Sequence, residues 1–304
     1  GGTCLNRGCI PTKALLANAE VLHTIRHASD YGISVDNVRF DFSAMMQRKD
    51  TVVTNLRKSL EGLIKSHGVT ILRGHASFIS PDEIKIKGQD SQIIRVKDTI
   101  IATGSEPKNI SAFAFDNTCI HSSTSLLQMT TLPKSLIIVG GGVIGCEFAS
   151  LYRELGCHVI IVEALDRILP LECKTVSSFM QSSFTKRGIE IHTSSFVSKV
   201  EKQDGAVTVT LKDGHVLQAE IALVAIGREL NSQGLGLECA GVITDRGAIS
   251  VDTSMHTNVS GIYAIGDVTA KTMYAHTATH QGMVAAHNIM GKKAVMNYDA
   301  VPGV

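Results

Sequence analysis

The sequence predicts an α/β protein built around a doubly wound parallel sheet, and three features of the chain indicate this fold class. Apolar strand segments alternate with helical segments over residues 136–163, and strand–helix–strand alternation is typical of parallel sheets. A glycine-rich turn joins the first of these strands to its helix. Residues 199–217 alternate in polarity around Asp204-Gly205 and Asp213-Gly214 turns, which predicts a small antiparallel meander.

The other elements follow from hydrophobic periodicity. The chain opens with a predicted loop over 1–8, and Pro11 suits the first turn of the helix that follows. Helices are predicted over 11–26, 41–67, 145–155 and 276–290. Strands are predicted over 69–72, 83–87, 93–96, 99–103, 136–139, 159–163 and 221–226. A Ser-, Thr- and Asn-rich segment over 113–133 is a candidate domain boundary.

Length and composition fit about two domains with well-buried cores. The chain has 304 residues, of which 44% are hydrophobic and 19% charged. Its 29 basic and 28 acidic residues give a net charge of +1, which argues against nucleic acid or an anionic membrane as the main partner. No apolar run approaches the roughly 20 residues that cross a bilayer. Because the first residue is Gly1, we expect the chain to begin inside a longer reading frame.

The seven cysteines predict one reactive pair and five inert thiols. An odd number scattered over the chain does not fit the disulfide framework of a secreted protein. Five cysteines stand singly among apolar neighbours, where a buried thiol is the usual state. Cys4 and Cys9 are close together in a glycine-rich stretch, which favours a reducing compartment and one catalytic pair.

A dinucleotide-binding motif follows the strand over 136–139. Gly140, Gly142 and Gly145 form the pattern G-x-G-x-x-G, in which the first glycine allows a tight turn, the second admits a pyrophosphate and the third lets the helix pack on the strand. Glu163 ends the next strand about twenty residues later, as this fingerprint requires. An acidic side chain there accepts hydrogen bonds from a ribose 2′-OH and repels a 2′-phosphate, so NAD is favoured over NADP.

The stretch from Gly1 to Lys13 reads G-G-T-C-L-N-R-G-C-I-P-T-K. Two thiols near the start of a helix can form a disulfide that stores two electrons. The positive end of the helix dipole lowers the pKa of the nearer thiol, Cys9. Two buried structural cysteines would require neither the flanking glycines nor Lys13.

This stretch resembles the redox motif of the pyridine-nucleotide disulfide oxidoreductases. Its residue sequence is most similar to that of the dihydrolipoamide dehydrogenases within that family. Further matches to the family lie over residues 101–107, 141–147, 225–228, 264–268 and 275–278. The resemblance therefore covers nearly the whole chain.

The resemblance implies FAD as a cofactor and a role for each matching residue. Cys4 would be the interchange thiol that reacts with the substrate, and Cys9 would lie against the flavin and pass electrons to it. Lys13 would sit near the flavin ring, paired with Glu147. The implied FAD contacts are Gly2, Thr3, Cys4, Lys13, Ala76, Gly104, Asp267 and Ala275.

Two of these contacts have specific tasks in the family. Asp267 would bind the ribityl chain of the flavin, and Ala275 would begin a helix whose N-terminal end faces the flavin pyrimidine. The second cofactor implied is NAD. Its implied contacts are Gly140, Gly142, Val143, Ile144, Gly145, Glu147, Glu163, Val197 and Gly227.

The resemblance also implies two Rossmann-like nucleotide-binding domains, with the NAD domain inserted in the FAD domain. The FAD domain would occupy 1–118 and 241–304, and the NAD domain 119–240. The family usually begins with an additional strand that carries a glycine fingerprint for FAD, and it ends with an interface domain that supplies an acid–base His–Glu pair across a homodimer. We expect both parts outside this chain, so the 304-residue chain alone should hold FAD weakly and turn over no lipoamide.

The implied activity is oxidation of dihydrolipoamide to lipoamide through a Cys4–Cys9 disulfide, with NAD as electron acceptor. The implied partner is the lipoyl-bearing protein of a 2-oxoacid dehydrogenase or glycine-cleavage complex, in the cytoplasm, with the mitochondrial matrix and plastid left open. Two alternatives remain: another NAD(P)H-dependent disulfide or metal-ion reductase of the superfamily, and an inactive nucleotide-binding fragment. Glu163 disfavours glutathione reductase, which needs arginines for a 2′-phosphate.

Histidines are the remaining candidates for metal ligands. His276, His280 and His287 share a predicted helix, and an i,i+4 pair of histidines can bind a metal ion. No Glu or Cys pattern completes such a site, and none is predicted.

Overall fold

The computed structural model describes residues 2–203 and 205–303, apart from the side chain of Gln203. Gly1 of the predicted N-terminal loop, Asp204 of the predicted Asp204-Gly205 turn and the last residue, Val304, lie outside the described residues. The chain forms two compact units, the first over Gly1–Leu60 and Pro107–Gly227 and the second over Glu61–Glu106 and Arg228–Val304. The predicted boundaries of the FAD and NAD domains stay a prediction.

Helices and strands alternate along the chain. The helices are α1 (Thr3–Arg7), α2 (Cys9–Arg26), α3 (Phe42–Ser66), α4 (Ser123–Leu126), α5 (Val143–Glu154), α6 (Lys174–Lys186), α7 (Leu237–Ala240) and α8 (Ala275–Ile289). The strands are β1 (His75–Ser80), β2 (Glu83–Lys87), β3 (Gln92–Arg95), β4 (Thr99–Ile101), β5 (Ser105–Pro107), β6 (Ile120–His121), β7 (Ser135–Val139), β8 (His158–Val162), β9 (Glu190–His192), β10 (Val197–Gln203), β11 (Ala206–Leu211), β12 (Val216–Ala219), β13 (Ile221–Val224), β14 (Arg228–Leu230), β15 (Thr244–Asp245), β16 (Ala248–Ile249) and β17 (Ile262–Ala264).

A five-stranded parallel sheet forms the centre of the first unit, with strand order β6-β13-β7-β8-β9. The predicted α/β class and its parallel sheet are thereby confirmed. Strand β13 pairs with β7 although about eighty residues separate them in sequence, as a crossover in a doubly wound sheet requires. The sheet places the carboxyl end of β7, which leads into the glycine-rich turn, beside the carboxyl end of β8.

Alternation of side chains along these strands divides the core of the first unit in two. Ile138 and Ile161 belong to a cluster that contains apolar residues of α2, α3, α5 and α6. Ile137 and Ile160, one position away, belong to a cluster with Val207 and other residues of the antiparallel strands β10, β11 and β12. Burial of apolar surface at each of these buried side chains stabilises the fold by about 1.5–3 kcal/mol.

The predicted meander is present as the antiparallel sheet β10-β11-β12. Its second turn, at Asp213-Gly214, joins β11 to β12, and Gly214 has a φ of +91°, which a glycine adopts without strain. Strand β11 alternates between buried and half-buried residues. The period of two in the sequence therefore reports a sheet with one face in the core.

The second unit contains smaller sheets. Strands β1, β2 and β3 form an antiparallel sheet, β15 pairs with β16, and β17 runs parallel to β4. A cluster that includes Phe78, Ile101 and Ile249 fills its core. Helix α8 follows β17 and packs Val284 and Ala285 against Tyr263 in a further cluster.

The structure differs from the sequence predictions at several elements. Residues 69–72 are not a strand: Val69 and Leu72 are exposed, and no strand of the described residues pairs with them. Strand β1 begins further on, at His75. The predicted strands over 99–103, 159–163 and 221–226 end two, one and two residues earlier than expected. The segment over 113–133 contains the short elements β6 and α4, where a looser region was expected.

Over the described residues, no helix is both long enough and apolar enough to span a lipid bilayer.

Candidate redox and nucleotide-binding sites

A disulfide joins Cys4 of α1 to Cys9, the first residue of α2, with their Cα atoms 4.5 Å apart. The loop predicted over 1–8 is therefore wrong in part, because residues 3–7 form a helical turn in which the Asn6 N–H and side-chain amide donate to the carbonyl of Gly2. Gly8 separates the two helices. A Cβ atom there would lie 3.1 Å from the Thr3 carbonyl oxygen, so the absence of a side chain lets α1 and α2 approach.

The start of α2 favours negative charge on the second cysteine sulfur. Cys9 is the first residue of an 18-residue helix, where free backbone N–H groups and the helix dipole stabilise a thiolate. The backbone N–H and the hydroxyl of Thr12 both donate to the Gly8 carbonyl, at 3.1 and 2.8 Å. Pro11 lies in the first turn, as predicted.

Lys13 of α2 forms an ion pair with Glu147 of α5, which confirms the pairing expected from the sequence. The side chain of Lys13 is 61% exposed, whereas that of Glu147 is 25% exposed. Such an exposed pair contributes little to stability. It instead places a cation one turn beyond Cys9, and its position near a flavin stays a prediction.

Gly140 and Gly142 connect β7 to α5, Gly145 lies in the first turn of α5, and two of these three glycines sit where a side chain would clash. A Cβ atom at Gly140, whose φ is +111°, would lie 2.3 Å from the Ala225 carbonyl oxygen, and one at Gly145 would lie 2.1 Å from the Gly140 carbonyl oxygen. A Cβ atom at Gly142 would have no atom within 4 Å. The turn therefore leaves open space at the N-terminal end of α5, which fits a dinucleotide pyrophosphate.

Glu163 follows β8 directly and is 8% exposed. Its two carboxylate oxygens accept backbone hydrogen bonds, from the Gly141 N–H at 2.6 Å and from the Leu165 N–H at 2.8 Å. Because a carboxylate has about four acceptor positions, each oxygen can still accept another hydrogen bond. Glu163 thus fixes the glycine-rich turn, and its contact with a ribose stays a prediction.

The other residues predicted to bind NAD also lie in the first unit. Val143 and Ile144 are the first two residues of α5, and Val197 is the first residue of β10. Gly227 has a φ of +117° and no atom within 4 Å of the position of a Cβ. Their contacts with NAD stay predictions.

The second unit carries four of the residues predicted to bind FAD. Gly104 has a φ of +71° and open space at the position of a Cβ. Asp267 lies in a 3-10 helix over Gly266–Thr269, Ala275 begins α8, and Ala76 is an exposed residue of β1. The remaining FAD candidates, Gly2, Thr3, Cys4 and Lys13, belong to the first unit.

Three further residues lie at the Asp267 loop and were not assigned from the sequence. The Ser105 hydroxyl donates to the carboxylate of Asp267, and Arg228 donates to Ser105. Gln281 is fully buried and accepts from the backbone N–H of Gly266. The sequence did contain a signal for Gln281, since it shares one face of α8 with the buried residues Thr277, Val284 and Ala285.

The free cysteines differ in burial: Cys146 and Cys157 are buried, Cys119 is half-buried, and Cys173 and Cys239 are exposed. Burial raises the pKa of Cys146 to about 12, with further contributions from Glu163 and Glu147, and burial also raises the pKa of Cys157 to about 12. Both are therefore inert at neutral pH. The prediction of buried thiols is wrong for Cys173, which precedes the first turn of α6, and for Cys239 in α7, because both face solvent.

No group of three or more His, Cys, Asp and Glu side chains among residues 2–203 and 205–303 could hold a metal ion. Among the three histidines of α8, His276 has its Nε2 atom 3.0 Å from the Pro302 carbonyl oxygen.

Comparison with known proteins identifies the class. A family profile described as pyridine nucleotide-disulphide oxidoreductase matches residues 1–282, and the chain belongs to this family. Proteins of the family use FAD and NAD.

Individual relatives have a more specific description. A dihydrolipoyl dehydrogenase of Chlamydia pneumoniae is 50% identical over 305 residues, which are all of this chain and 66% of that protein. One from Bacillus subtilis (strain 168) is 41% identical over 99% of this chain and 67% of its own length. The crystal structure of LpdA from Mycobacterium tuberculosis matches with a TM-score of 0.93 at 28% identity, over 99% of this chain and 67% of that chain. The chain thus spans about two thirds of the length of the curated relatives it matches.

Proposed function

We propose that this protein oxidises dihydrolipoamide to lipoamide with NAD as electron acceptor. The observation that carries the proposal is the Cys4–Cys9 disulfide at the start of α2. It is supported by 50% identity, over the whole chain, to a protein described as a dihydrolipoyl dehydrogenase. NAD is preferred to NADP because the buried carboxylate of Glu163 would repel a 2′-phosphate.

The two cysteines exchange with the substrate in two steps. A thiolate of dihydrolipoamide attacks the Cys4 sulfur, forms a mixed disulfide and displaces Cys9 as a thiolate. The second thiol of the substrate then loses its proton and attacks the first substrate sulfur, which is bonded to Cys4 in the mixed disulfide. This closes the disulfide of lipoamide and releases Cys4 as a thiolate. Two electrons have then passed from the substrate to the cysteine pair, and the helix start at Cys9 stabilises the resulting negative charge.

The residues of each unit fit the nucleotide that the proposal assigns to them. In the first unit, the open space at Gly142 and the N–H groups of α5 receive the NAD pyrophosphate. In the second unit, Asp267, which has one carboxylate oxygen without a hydrogen-bond partner among the described residues, and the positive φ of Gly104 suit the hydroxyl-bearing chain and nucleotide of FAD. FAD supplies a two-electron relay between the reduced cysteine pair and NAD.

The wider organisation is proposed on the same basis. Residues 1–118 and 241–304 form the FAD domain, and 119–240 form the NAD domain. The complete protein is a homodimer in the cytoplasm and acts on the lipoyl-bearing protein of a 2-oxoacid dehydrogenase or glycine-cleavage complex. The similarity to a mitochondrial dihydrolipoyl dehydrogenase of Pisum sativum, at 38% identity, keeps the mitochondrial matrix as a second location to test.

The test is an anaerobic titration of the protein expressed from its complete reading frame, with dihydrolipoamide and then NAD. We expect a long-wavelength absorbance band on reduction by dihydrolipoamide, followed by formation of NADH. Cys4→Ser and Cys9→Ser should each abolish reduction by dihydrolipoamide. Cys239→Ser, which removes an exposed thiol, is the matched control and should react like the parent protein.

Two results would contradict parts of this proposal. A flavin that NADH reduces but dihydrolipoamide does not would exclude this substrate and indicate another disulfide. A protein that uses NADPH far better than NADH would contradict the role given to Glu163.

A further inference from the structure

A chain of hydrogen bonds links three side chains of the second unit. Arg228 Nε donates to Ser105 Oγ at 2.6 Å, and the Ser105 hydroxyl donates to Asp267 Oδ2 at 2.5 Å. Arg228 Nη2 also donates to the backbone carbonyl of Ser105 at 2.7 Å, and Arg228 Nε lies 3.7 Å from Asp267 Oδ2. The guanidinium group therefore fixes both the backbone and the hydroxyl of Ser105.

Burial makes the orientation of this network well defined. Ser105 is 1% exposed, so its hydroxyl exchanges no hydrogen bonds with bulk water and must serve as donor to Asp267 and acceptor from Arg228. The side chains of Arg228 and Asp267 are 14% and 19% exposed. Hydrogen bonds to charged groups in such a partly buried place are stronger than neutral ones.

Only one of the two carboxylate oxygens of Asp267 is used. Oδ2 accepts from Ser105, whereas Oδ1 has no hydrogen-bond partner among residues 2–203 and 205–303. A carboxylate held at one oxygen presents the other in a fixed direction. That direction would be lost if the side chain could rotate.

The backbone beneath Asp267 is held by different contacts. The Gly266 N–H donates to Gln281 Oε1 at 2.6 Å, and Gln281 Nε2 donates to the Tyr298 hydroxyl at 3.0 Å. Ser105 and Arg228 therefore act on the side chain of Asp267, and Gln281 acts on its backbone.

We propose that Ser105 and Arg228 are positioning residues, which orient Asp267 so that Oδ1 accepts a hydrogen bond from a hydroxyl group of bound FAD. This inference rests on the proposed function, in which Asp267 contacts FAD. Arg228 acts through Ser105 and through its own ion pair with Asp267, and neither Ser105 nor Arg228 needs to touch the cofactor.

The test is a double-mutant cycle on the apoprotein of the complete reading frame, with FAD as the probe and flavin fluorescence as the measurement. Asp267→Ala should raise the Kd for FAD about 100-fold, and Ser105→Ala about 10-fold. Arg228→Lys keeps the charge but loses the two-pronged contact, and it should also raise the Kd about 10-fold. In the Asp267→Ala background, each of these two changes should alter the Kd by less than about 2-fold.

Thr257→Val is the matched control, because it removes a hydroxyl that bonds the backbone of Val259 and Ile262 in the same unit and does not touch Ser105, Arg228, Asp267 or Gln281. It should lower the melting temperature and leave the Kd for FAD unchanged. Having variants at both Ser105 and Arg228 keeps the test valid if one of them does not fold.

Three results would overturn the inference. If Ser105→Ala and Arg228→Lys leave the Kd unchanged, or weaken FAD binding equally with and without Asp267, they do not position this carboxylate. If Asp267→Ala itself leaves the Kd unchanged, Asp267 does not contact FAD and the inference fails with that assignment. Failure of dihydrolipoamide to reduce the protein is a separate result, because it concerns the substrate and leaves these FAD affinities as they are.

Discussion

The glycine-rich turn of the first unit and the Asp267 loop of the second unit each contain a carboxylate, and the two carboxylates are held in different ways. Both oxygens of Glu163 accept hydrogen bonds from backbone N–H groups, of Gly141 and Leu165. Asp267 instead accepts a side-chain hydrogen bond at one oxygen and leaves the other without a partner among the described residues.

This difference separates two ways of building the nucleotide sites that we propose. In the glycine-rich turn, the backbone would form the site, and Glu163 holds that backbone from a buried position. In the Asp267 loop, side chains would form the site, and the hydrogen bond from Ser105 orients the carboxylate of Asp267. We therefore expect substitutions in the glycine-rich turn to lower the free energy of unfolding through steric clashes. Substitutions in the Asp267 loop should instead weaken nucleotide binding by smaller steps.

Gly145→Ala should have the largest effect, because it attacks the backbone of the turn directly. Its Cβ atom would lie 2.1 Å from the Gly140 carbonyl oxygen, so α5 or β7 must shift. We expect a loss of about 3 kcal/mol in the free energy of unfolding, measured by urea denaturation, together with loss of NADH binding.

Gly142→Ala is the control for this steric argument. It places a methyl group where no atom lies within 4 Å, at a φ of −73° that alanine adopts readily. It should change the free energy of unfolding by less than about 0.5 kcal/mol, although it can obstruct the pyrophosphate. Equal destabilisation by the two substitutions would show that close packing does not explain these glycines.

Glu163→Gln should have the next largest effect. Glutamine keeps one carbonyl oxygen but presents an NH2 group to one of the two backbone N–H donors, which leaves a buried donor without an acceptor. We expect a loss of about 1–3 kcal/mol in the free energy of unfolding. Glu190→Gln, which changes a carboxylate that is 47% exposed and pairs with His192, should change it by less than about 1 kcal/mol. If the two variants are equally stable, Glu163 does not hold the turn.

Local patterns in the sequence predicted the parts of the molecule whose causes are local. Helix α3 begins and ends within one residue of the predicted bounds, because its apolar positions recur at helical spacing. The glycine-rich turn was found from the spacing of its three glycines after an apolar strand, and the Cys4–Cys9 disulfide from two closely spaced cysteines near a predicted helix start that resemble a family redox motif.

Contacts between distant parts of the chain could not be predicted in this way. Ser105 lies 123 residues before Arg228 and 162 residues before Asp267, so no spacing rule connects them. Both Ser105 and Arg228 were visible only as members of family motifs without an assigned role. The strand predicted over 69–72 is absent for a similar reason. A strand forms only where a neighbouring strand pairs with it, and the local sequence does not show whether such a partner exists.

Thiol labelling compares buried and exposed cysteines on the two units. It substitutes no residue, so it leaves the stability of the protein unchanged. Cys146 of α5 is buried with a pKa raised to about 12, whereas Cys239 of α7 is exposed. In the native protein at about pH 7.5 to 8, iodoacetamide followed by mass spectrometry should modify Cys239 and Cys173 at least about 10-fold faster than Cys146 and Cys157, because burial limits access to Cys146 and Cys157 and raises their pKa. Rapid labelling of Cys146 would mean that the turn opens in solution.

Asp116 gives the smallest effect, because it is held by backbone N–H groups like Glu163 but is exposed to water. Burial of part of the carboxyl group would raise its pKa, but backbone hydrogen bonds from Cys119, Ile120 and Thr118 outweigh this and lower the pKa to about 2. Since the folded pKa lies below the usual value of 3.8, the ionised group stabilises the fold above that value, and the stabilisation is lost as the pH falls through about 2.

Asp116→Ala should therefore lower the melting temperature by a few degrees at pH 7, and the difference from the parent protein should shrink as the pH falls from about 4 towards 2. A difference that stays constant across this range would mean that the backbone donors do not favour the charged form of Asp116. In that case backbone N–H groups would stabilise the carboxylate of Glu163 but not that of Asp116. Glu163 would then be the sole support for the view that backbone donors hold a carboxylate differently from the side-chain donor at Asp267.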